Sequence, residues 1–418
     1  MSNDSVTLPS PDLDLQLHLN NNKYAQQVVP AILFLAILML VGCIGNSLVF
    51  YVYHLKMKRS TTRLYILSLA AFDLLNCVVC IPHEIADMRY NFTFGRYALC
   101  KVIRVLIVFS SFGSGSVLLV VAVDRYKKVC RPFQKQITLR TAQVAVTICT
   151  VASCLLSLPA FVIYGSRTVP TDIISINGSD CSISDEYINS PFPLLYNGIH
   201  FSIFVPSVLC LIVLYSLIKR QVGKQHSYRN KMNCHQNVPS SQNRDGGKEI
   251  NSNESDEGRT SSSEPELTDV SVVEMQMPNI RPSTNDVLTD PQQGRNPMHI
   301  AKGKTRQDKE GSVCSDAELT YAQTSSRGDR GEQRMSFMLF LITLVFVLSF
   351  LPHLSLMVAL GIKRDLFEVT QGAGLAAINL FIRSYFINSA SNPIIYSFFS
   401  TNFRRELGDI WRKVHCRV

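Results

Sequence analysis

Seven apolar segments divide this chain, and each is long enough to cross a membrane as a helix. A helix needs about 20 predominantly apolar residues to cross a hydrocarbon core of roughly 30 Å. We call the segments spans one to seven, and they cover residues 28–54, 64–87, 98–123, 141–164, 192–218, 335–361 and 370–397. Backbone groups in lipid must be hydrogen-bonded within the protein, so the sequence predicts an all-α membrane protein, a seven-transmembrane helix bundle.

The composition favours the same class. Hydrophobic residues make up 46% of the chain and charged residues only 17%, and the apolar residues occur in runs rather than at amphipathic spacing. Span seven is the least apolar, because polar side chains interrupt it at Gln371, Asn379, Arg383, Asn388 and Asn392. Polar residues at membrane depth usually face a bundle interior or a water-filled cavity, so we interpret this interruption as functional.

The basic residues predict the orientation of the bundle. They cluster just after spans one, three and seven, at Lys56, Lys58, Arg59, Arg63, Lys127, Lys128, Arg131, Lys135, Arg404, Arg405, Arg412 and Lys413. Short loops rich in Lys and Arg stay in the cytosol. We therefore predict a multi-pass protein of the plasma membrane with its N-terminus outside. The tail contains no apolar signal-peptide core, so the first span itself must translocate it.

The same loops account for the net charge of +9, so this charge does not imply a nucleic-acid partner. Three sequons for N-glycosylation lie in segments predicted to be extracellular, at Asn3, Asn91 and Asn177. Sequons also arise by chance, so modification and coincidence both stay open at each of them.

Residues 219–333 have a different composition from the spans. This segment is dense in polar and charged residues and lacks apolar periodicity, so it cannot bury enough surface to offset the cost of ordering. We predict a disordered third cytosolic loop, either a site of phosphorylation and docking or a tolerated insertion. The chain then divides into the extracellular tail 1–27, spans one to five at 28–218, the loop 219–333, spans six and seven at 334–397, and the C-terminal segment 398–418.

Two short motifs lie at the ends of apolar segments. Asp124-Arg125-Tyr126 follows span three, where an Asp-Arg pair forms an ionisable switch at a membrane face. Asn392-Pro393-Ile394-Ile395-Tyr396 ends span seven, where Asn-Pro loosens a helix. With seven spans in order, the chain resembles the rhodopsin-like (class A) G-protein-coupled receptors from about residue 28 to 413, the long loop excepted.

This resemblance implies a receptor that binds an extracellular ligand and activates a heterotrimeric G protein, with arrestin and receptor kinases as further partners. It also implies a disulfide between Cys100 and Cys181, which of the 12 cysteines are the two predicted to lie outside the cell. Such a bridge would hold the loop after span four over the mouth of the bundle. The other cysteines and the histidines show no metal-ligand spacing.

Inside the bundle, the resemblance implies a sodium ion held by Asp73, Ser114, Asn388 and Asn392. A buried carboxylate is costly without a counter-ion, and hard oxygen donors suit this cation. Asn46 would join the same network. An ordinary water-bridged polar network is the alternative. We predict no other cofactor.

At the cytosolic end, the resemblance places Arg125 between two possible partners. It can pair with the adjacent Asp124 or with Glu332 at the foot of span six, and the second contact would close the cavity for a G protein. Glu332 is alternatively a solvated surface acid. Pro132 and Phe133 take the positions at which the second cytosolic loop meets the G protein.

The chain departs from the family pattern at several aromatic positions. In span six, Phe350 takes the place of the usual switch tryptophan, between Phe346 and Pro352. In span five, Tyr215 follows Pro206 by nine residues, one more than the family spacing, which puts its role in the active state in doubt.

The ligand class is narrowed by exclusion. Ile107 replaces the aspartate that binds amines and Phe386 replaces the lysine that binds retinal, so both ligands are disfavoured. The predicted ligand-binding residues at the mouth are His83, Glu84, Arg104, Ile107, His353 and Arg383. This mixed charge suits a peptide whose acidic group meets Arg104 or Arg383, although Glu84 and Arg383 can instead form an internal salt bridge.

The residues Ser110 to Gly115 and the long third loop resemble receptors of the cholecystokinin or orexin type. A receptor for a non-peptide small molecule is the alternative, followed by a transporter, although the halves of the chain show no inverted repeat. No constellation of catalytic groups indicates an enzyme.

The C-terminal segment predicts an amphipathic eighth helix that lies in the membrane interface. Phe403, Leu407, Ile410, Trp411 and Val414 recur at helical spacing with basic residues between them. Cys416 follows this helix as a candidate for palmitoylation, which would add a second contact with membrane lipid.

Overall fold

The computed structural model describes residues 11–95, 97–171, 177–236, 313–362 and 370–415. The chain forms two units, Met1–His235 with Leu319–Val418, and Gln236–Glu318. The described part of the second unit consists only of the helical residues at its two ends. The first unit contains all seven spans and every site considered below.

Spans one, three, five and six are continuous helices over Pro11–Leu55, Tyr97–Cys130, Phe192–Gln236 and Val313–Ile362. Span four consists of Leu139–Ser157 and a short turn of helix at Ala160–Ile163, separated by Pro159. Within the described residues, six helices, those of spans one to six, are long and apolar enough to cross a membrane.

Spans two and seven are not uniform α-helices. Span two comprises Thr61–Leu75, a π-helical turn at Asn76–Cys80, and Ile81–Arg89. Span seven comprises Ala373–Ile382, a 3-10 turn at Ser384–Phe386, and Ile387–Phe399. The eighth helix, Thr401–His415, follows at once.

The side chains are distributed as in a membrane protein. Large apolar side chains cover the outer faces, among them Ile148, Leu194 and Leu209. The interior contains apolar clusters together with polar and charged side chains, among which Asp73, Arg125 and Asn392 are all buried. A lipid-exposed surface has no need for polar groups, whereas facing helices can pair them with one another.

Two glycines allow close helix contacts inside the bundle. A Cβ atom on Gly45 would lie 2.6 Å from the ring of Pro393, and one on Gly113 would lie 2.4 Å from Phe72 Cζ. A larger residue at either position would require the neighbouring side chain to shift. Gly45 therefore brings span one against the Asn-Pro segment of span seven, and Gly113 brings span three against span two.

Three helices extend beyond the predicted boundaries. Residues 11–27, predicted as a tail, continue the helix of span one, and residues 219–236 and 313–333, predicted as the ends of a disordered loop, continue spans five and six. The boundaries read from hydropathy mark where the apolar side chains end. A helix needs only its own backbone hydrogen bonds to continue into polar sequence. The middle of the predicted loop lies outside the described residues.

The extension of span one is held by side chains. The amide of Asn21 accepts a bond from Phe92 N at 2.9 Å and donates one to Thr93 Oγ1 at 2.8 Å. Gln27 Oε1 accepts a bond from Gly372 N at 2.9 Å, at the start of span seven. Gly372 has a φ of 62°, a conformation that favours glycine. The extension thus connects the loop after span two with span seven.

The loop after span four forms a two-stranded antiparallel hairpin that the all-α prediction did not include. Strand β1, Tyr164–Pro170, pairs with β2, Asn177–Ile183. Outside the apolar core, backbone groups can pair between strands instead of within a helix. The pKa of Asp185 is lowered because Thr168 donates side-chain and backbone hydrogen bonds to its carboxylate.

The predicted disulfide is confirmed, since Cys100 at the start of span three is bonded to Cys181 in β2. We call this end of the bundle the hairpin end and the opposite end, which contains Asp124-Arg125-Tyr126, the Arg125 end. The bridge and Phe94 form a small buried cluster. The hairpin is therefore attached directly to the third span.

Candidate functional site

At the Arg125 end, a buried arginine is paired with its neighbour in sequence. Arg125 is 1% exposed, and its Nε donates to Asp124 Oδ2 at 3.1 Å while a terminal guanidinium nitrogen binds Thr62 Oγ1 at 3.0 Å. Lys128 Nζ lies 3.0 Å from the same Asp124 oxygen. The carboxylate thus offsets two cations and directs Arg125 toward span two. The side chain of Glu332, the other predicted partner, lies outside the described side chains.

The loop after span three presents an aromatic side chain to its surroundings. Phe133 is fully exposed, and Pro132 beside it is exposed too. Gln136 Nε2 donates to the carbonyl oxygens of Arg131, Pro132 and Gln134. These bonds restrain the backbone around Phe133, which presents its ring on the surface of the loop.

The four residues predicted to hold sodium are all buried. Asn392 Nδ2 donates to Asp73 Oδ2 at 2.7 Å, which joins spans seven and two. Asp73 Oδ1, Ser114 Oγ, Asn388 Oδ1 and Asn392 Oδ1 are buried with no hydrogen-bond partner among the described residues. Four oxygens left in this way on four side chains are the donor set that a hard monovalent cation prefers, so these residues fit the ion.

Asn46, which was predicted to join this network, binds two backbone oxygens. Its Nδ2 donates to Ser389 O at 2.7 Å and to Gly42 O at 3.0 Å, and both are backbone oxygens. These bonds tie span one to span seven beside the Asn-Pro segment. Asn46 Oδ1 is buried with no hydrogen-bond partner among the described residues, and its place beside the ion stays a prediction.

The π-helical turn of span two carries a polar link that the sequence analysis missed. Asn76 Nδ2 donates to Ser389 Oγ at 3.1 Å, and its Oδ1 accepts from Ser110 Oγ at 2.6 Å. The turn thereby connects spans two, three and seven. Pro82, which has no N–H to donate, follows the turn, and it was the signal available in the sequence.

The aromatic residues of span six pack against three other spans. The ring centroids of Phe346 and Phe350 are 4.5 Å apart, and Phe350 lies 5.7 Å from Tyr385 and 6.2 Å from Phe204. A Cβ atom on Gly115 would lie 2.9 Å from Phe346, so span three leaves room for this ring. Phe350 is thus at the centre of an aromatic cluster, and Pro352 follows it within the helix.

Tyr215 and Tyr396 both lie inside the bundle near the Arg125 end. Tyr215 Oη is 3.1 Å from Thr343 Oγ1, and the ring packs against Phe340 at 5.3 Å. Tyr396 is fully buried, with its ring 6.0 Å from that of Tyr53. Tyr215 therefore faces span six.

At the hairpin end, one carboxylate binds two arginines. Glu84 Oε1 accepts from Arg104 at 2.7 Å, and Glu84 Oε2 accepts from Arg383 at 2.7 Å. Arg383 also donates to Asn379 Oδ1 at 2.7 Å, and Arg104 donates to the carbonyl of Cys181 at 2.7 Å. The internal salt bridge between Glu84 and Arg383 is therefore present, and Arg104 extends it to span three and the hairpin.

A second carboxylate in this cluster is less completely paired. Asp87 Oδ2 is 3.4 Å from Arg104 and 3.7 Å from Arg383, and Oδ1 has no partner among the described residues. Both ring nitrogens of the buried His83, one helical turn earlier, also lack partners there. Pairing within the cluster is thus concentrated on Glu84.

The remaining predicted ligand residues lie deeper or to one side. His353 Nδ1 is 2.6 Å from Ile382 O, and its ring packs edge-on against Tyr385 at 4.9 Å. Ile107 is buried in the apolar cluster that also contains Tyr385 and Phe386. These residues form the floor below the charged cluster.

Comparison with known families decides the class of the chain. The model of the 7 transmembrane receptor (rhodopsin family) matches residues 45–396. The chain belongs to this family. Members of this family are seven-transmembrane receptors and not enzymes. The predicted resemblance is therefore confirmed.

Curated relatives of this receptor include several with named ligands. The C3a anaphylatoxin chemotactic receptor of Danio rerio is 29% identical over 191 residues, 45% of this chain and 50% of that receptor. The allatostatin-A receptor of Bombyx mori is 28% identical over 200 residues, 47% and 53% of the two chains. The cholecystokinin receptor type A of Oryctolagus cuniculus is 34% identical over 108 residues, 25% of each. The receptor spans about half the length of these relatives, or less.

The structure gathers most predicted site residues of the receptor into three groups along the bundle. Glu84, Arg104 and Arg383 meet at the hairpin end, Asp73 and Asn392 meet in the middle, and the Asp124 and Arg125 pair lies at the opposite end. Asn91 and Asn177, the described sequon residues, lie at the hairpin end. Asn3 and Cys416 lie outside the described residues.

Proposed function

We propose that this receptor binds an extracellular peptide at its hairpin end and activates a heterotrimeric G protein at its Arg125 end. The observation that supports this most directly is the pairing of two built sites at opposite ends of one bundle. The charged cluster lies beneath a hairpin attached by a disulfide, and the Asp124 and Arg125 pair lies beside an exposed aromatic loop. Relatives named for C3a anaphylatoxin, allatostatin-A and cholecystokinin favour a peptide.

In this proposal the protein is a multi-pass protein of the plasma membrane, and its N-terminus lies outside, as the basic loops predict. Arrestin and receptor kinases share the cytosolic end. The eighth helix lies in the membrane interface, since Phe403 is buried against the bundle while Arg404, Arg405 and Arg412 are exposed. Glycans on Asn91 and Asn177 and a palmitoyl group on Cys416 complete the expected modifications.

The ion pairs refine the ligand chemistry. An acidic ligand group would compete with Glu84 for the guanidinium nitrogens that it contacts at 2.7 Å, although the buried Nε of Arg104 is left without a partner among the described residues. A basic ligand group can instead add to Asp87, whose Oδ1 is free of partners among the described residues. We therefore propose that the peptide presents an arginine or lysine side chain to Asp87 and His83, rather than an acidic group to the arginines.

The sodium site is part of the same proposal. Asp73, Ser114, Asn388 and Asn392 would hold the ion, which supplies a positive charge to the buried carboxylate. The chain's own residues restrain the helices there, because the Asn392 to Asp73 bond joins spans seven and two. An activated bundle would rearrange these contacts and release the ion.

The test is agonist-dependent nucleotide exchange on purified G proteins, with a neuropeptide library applied to membranes that contain the receptor. We expect at least one peptide to stimulate exchange. The matched control is Arg125→Ala, which should retain binding of that peptide and lose the exchange. Flux of a solute into receptor vesicles, without nucleotide exchange, would indicate a transporter instead.

Once a peptide is known, its basic residues provide a second test. Replacement of one of them by glutamine should lower affinity for the wild type and have little further effect on Asp87→Asn. Glutamine at the acidic residues should leave affinity nearly unchanged. If substitution of the acidic residues lowers affinity and substitution of the basic residues does not, Arg104 and Arg383 are the ligand contacts instead.

A further inference from the structure

A further carboxylate approaches Asp87 at the hairpin end, and none of the sites above uses it. Asp180 lies in strand β2, directly before Cys181, and is half-buried. Ser182 Oγ donates to Asp180 Oδ1 at 2.9 Å. Among the described residues Asp180 forms no ion pair, although Arg167 is its partner in the register of the hairpin. Its carboxylate is therefore open to a cationic group from outside.

One nitrogen of Arg104 brings span two and strand β2 together. Arg104 Nη2 donates to the carbonyl of Cys181 at 2.7 Å and lies 3.4 Å from Asp87 Oδ2. Asp180 precedes Cys181, and its charge acts on Asp87. Both carboxylates also act on the hydroxyl of Tyr24, in the extension of span one. Asp87, Asp180 and Tyr24 thus lie around the same space at the hairpin end.

Phe92 holds the extension of span one and strand β2 against one another. Its ring packs edge-on against the ring of Tyr24, with centroids 6.0 Å apart. On the hairpin, a Cβ atom on Gly178 would lie 2.8 Å from Phe92 Cβ. Gly178 and Asp180 are two residues apart in one strand, so they share a face. Asp180 therefore lies on the face of the hairpin that is turned toward the extension.

Buried polar atoms without partners favour a ligand group in this space. Asp87 Oδ1 and both ring nitrogens of His83 are buried and have no hydrogen-bond partner within the described part of the chain. His83 and Asp87 are each 6% exposed, and they lie one helical turn apart in span two. The His83 ring packs edge-on against Phe94, which belongs to the cluster of the disulfide. Unpaired buried polar atoms are costly, so a donor that enters here is favoured.

The charged groups around this space do not balance. Three carboxylates face two guanidinium groups, namely Glu84, Asp87 and Asp180 against Arg104 and Arg383. The other charged pair of the hairpin, Arg167 and Asp185, is neutral as a pair. One cationic ligand group would therefore make the hairpin end neutral, whereas a ligand carboxylate would add to the uncompensated negative charge.

We propose that the basic group of the peptide is an arginine, whose guanidinium bridges Asp87 on span two and Asp180 on strand β2. One edge of the group donates to Asp87 Oδ1 and to a neutral ring nitrogen of His83, and the other edge donates to Asp180. A guanidinium has five N–H donors in one plane, whereas the lysine ammonium is a compact and strongly hydrated point charge. Two carboxylates on different elements therefore favour arginine over lysine. The inference rests on the proposed peptide site and names its ligand chemistry.

The test uses the purified full-length receptor in nanodiscs and two probes, Nα-acetyl-arginine methylamide and its lysine counterpart. Saturation-transfer NMR measures their binding. We expect the arginine probe to bind the wild type about tenfold more tightly, since one additional charge-assisted hydrogen bond is worth at least that factor. Asp180→Asn and Asp87→Asn should each make the two affinities nearly equal, because either substitution breaks the bridge. Glu186→Gln is the matched control, an exposed acid after β2, and it should keep the preference for arginine.

Thermal melting confirms that each variant is folded. If the buried Asp87 does not tolerate substitution, Asp180→Asn on the hairpin is sufficient for the test. The inference is overturned if the wild type binds both probes equally or fails to bind the arginine probe at millimolar concentrations. It is also overturned if Asp180→Asn keeps the full preference, or if Glu186→Gln loses it to the same degree.

The proposed function is tested separately by nucleotide exchange, so the two failures differ. A stimulating peptide that contains no arginine would contradict the arginine bridge and leave the peptide receptor intact. Selective binding of the arginine probe that is lost in Asp180→Asn, without any stimulating peptide, would support the bridge and contradict only the proposed function.

Discussion

Glu84 accepts one hydrogen bond through each carboxylate oxygen, from Arg104 and from Arg383. All three side chains are removed from solvent to a large degree, with exposures of 1%, 17% and 8%. Removal of one partner from a buried ion pair leaves an uncompensated charge, at a cost of about 3–5 kcal/mol. Glu84 therefore stabilises the hairpin end by compensating two arginines.

This gives a prediction for Glu84→Gln. The variant should unfold at a clearly lower temperature than the wild type, because both guanidinium groups lose their charged partner. Asp87→Asn is the matched control, since Asp87 is 3.4 Å or more from either arginine and contributes less to their compensation. Thermal melting of the purified receptor measures both. Equal melting temperatures for the two variants would show that Glu84 is not the main counter-ion.

A second prediction concerns sodium. If the ion binds at Asp73, the receptor should melt at a higher temperature in sodium than in equimolar potassium. At a sodium concentration ten times the dissociation constant, the ion stabilises the folded receptor by about 1.4 kcal/mol. Asp73→Asn should abolish this difference, and agonist affinity should cease to fall as sodium rises. Asp185→Asn, a carboxylate on the hairpin side, is the control that should keep the sodium effect. A sodium response retained in Asp73→Asn would leave the water-bridged network as the correct description.

Individual contacts were predictable to different degrees. The Asp124 and Arg125 pair is local in sequence, and the Asp73 to Asn392 contact followed from the family resemblance. The sequence left the partner of Arg383 open, and it assigned Arg104 to the ligand. Side-chain spacing does not determine which of two carboxylates one turn apart an arginine on another helix will bind. That choice depends on the rotation and depth of three spans.

At the scale of elements, Cys181 attaches the hairpin to span three by two contacts. The disulfide joins Cys181 to Cys100, and the carbonyl of Cys181 accepts a bond from Arg104 at 2.7 Å. We predict that Cys181→Ala lowers surface expression or ligand binding, because the hairpin then loses its covalent bond to span three. Cys154→Ala is the control, since this free cysteine is exposed on span four. Normal trafficking and normal binding of Cys181→Ala would contradict the prediction.

Hydropathy predicted the apolar segments well and the helix ends poorly. It carries no information on residues 11–27, where Asn21 and Gln27 hold a polar helix in place through tertiary hydrogen bonds. Likewise, the hairpin forms from segments without an obvious strand pattern. The π-helical turn at Asn76–Cys80 depends on Pro82 and on polar partners from spans three and seven. Long-range contacts decide each of these features, so a single sequence gives little warning of them.

At the scale of the whole molecule, polar contacts connect the two ends through span seven. Arg383 binds Glu84, and the next residue, Ser384, donates to the carbonyl of Ser349 at 2.7 Å beside Phe350. Two turns further along, Asn392 binds Asp73. Spatial continuity alone does not demonstrate coupling. It does identify span seven as the element whose position both ends can influence.

Two variants test whether the Arg125 end is a two-state switch. A closing contact between Arg125 and Glu332 would favour the inactive state. If the contact contributes about 1 kcal/mol of coupling, Glu332→Ala should raise basal nucleotide exchange roughly fivefold. Asp409→Ala removes an acid from a surface pair with Arg412 and should change little. Basal exchange equal to wild type in Glu332→Ala, at matched surface expression, would identify Glu332 as a solvated acid.

Arg125→Ala should behave in the opposite way, because the guanidinium group both restrains the inactive bundle and contacts the G protein in the proposed active state. The variant should bind agonist and fail to stimulate nucleotide exchange. Its fold is at risk, since Arg125 is buried and bonded to Asp124 and Thr62, so agonist binding must be measured on the same preparation. Full stimulation by Arg125→Ala with normal binding would mean that Asp124-Arg125-Tyr126 does not couple this receptor to its G protein.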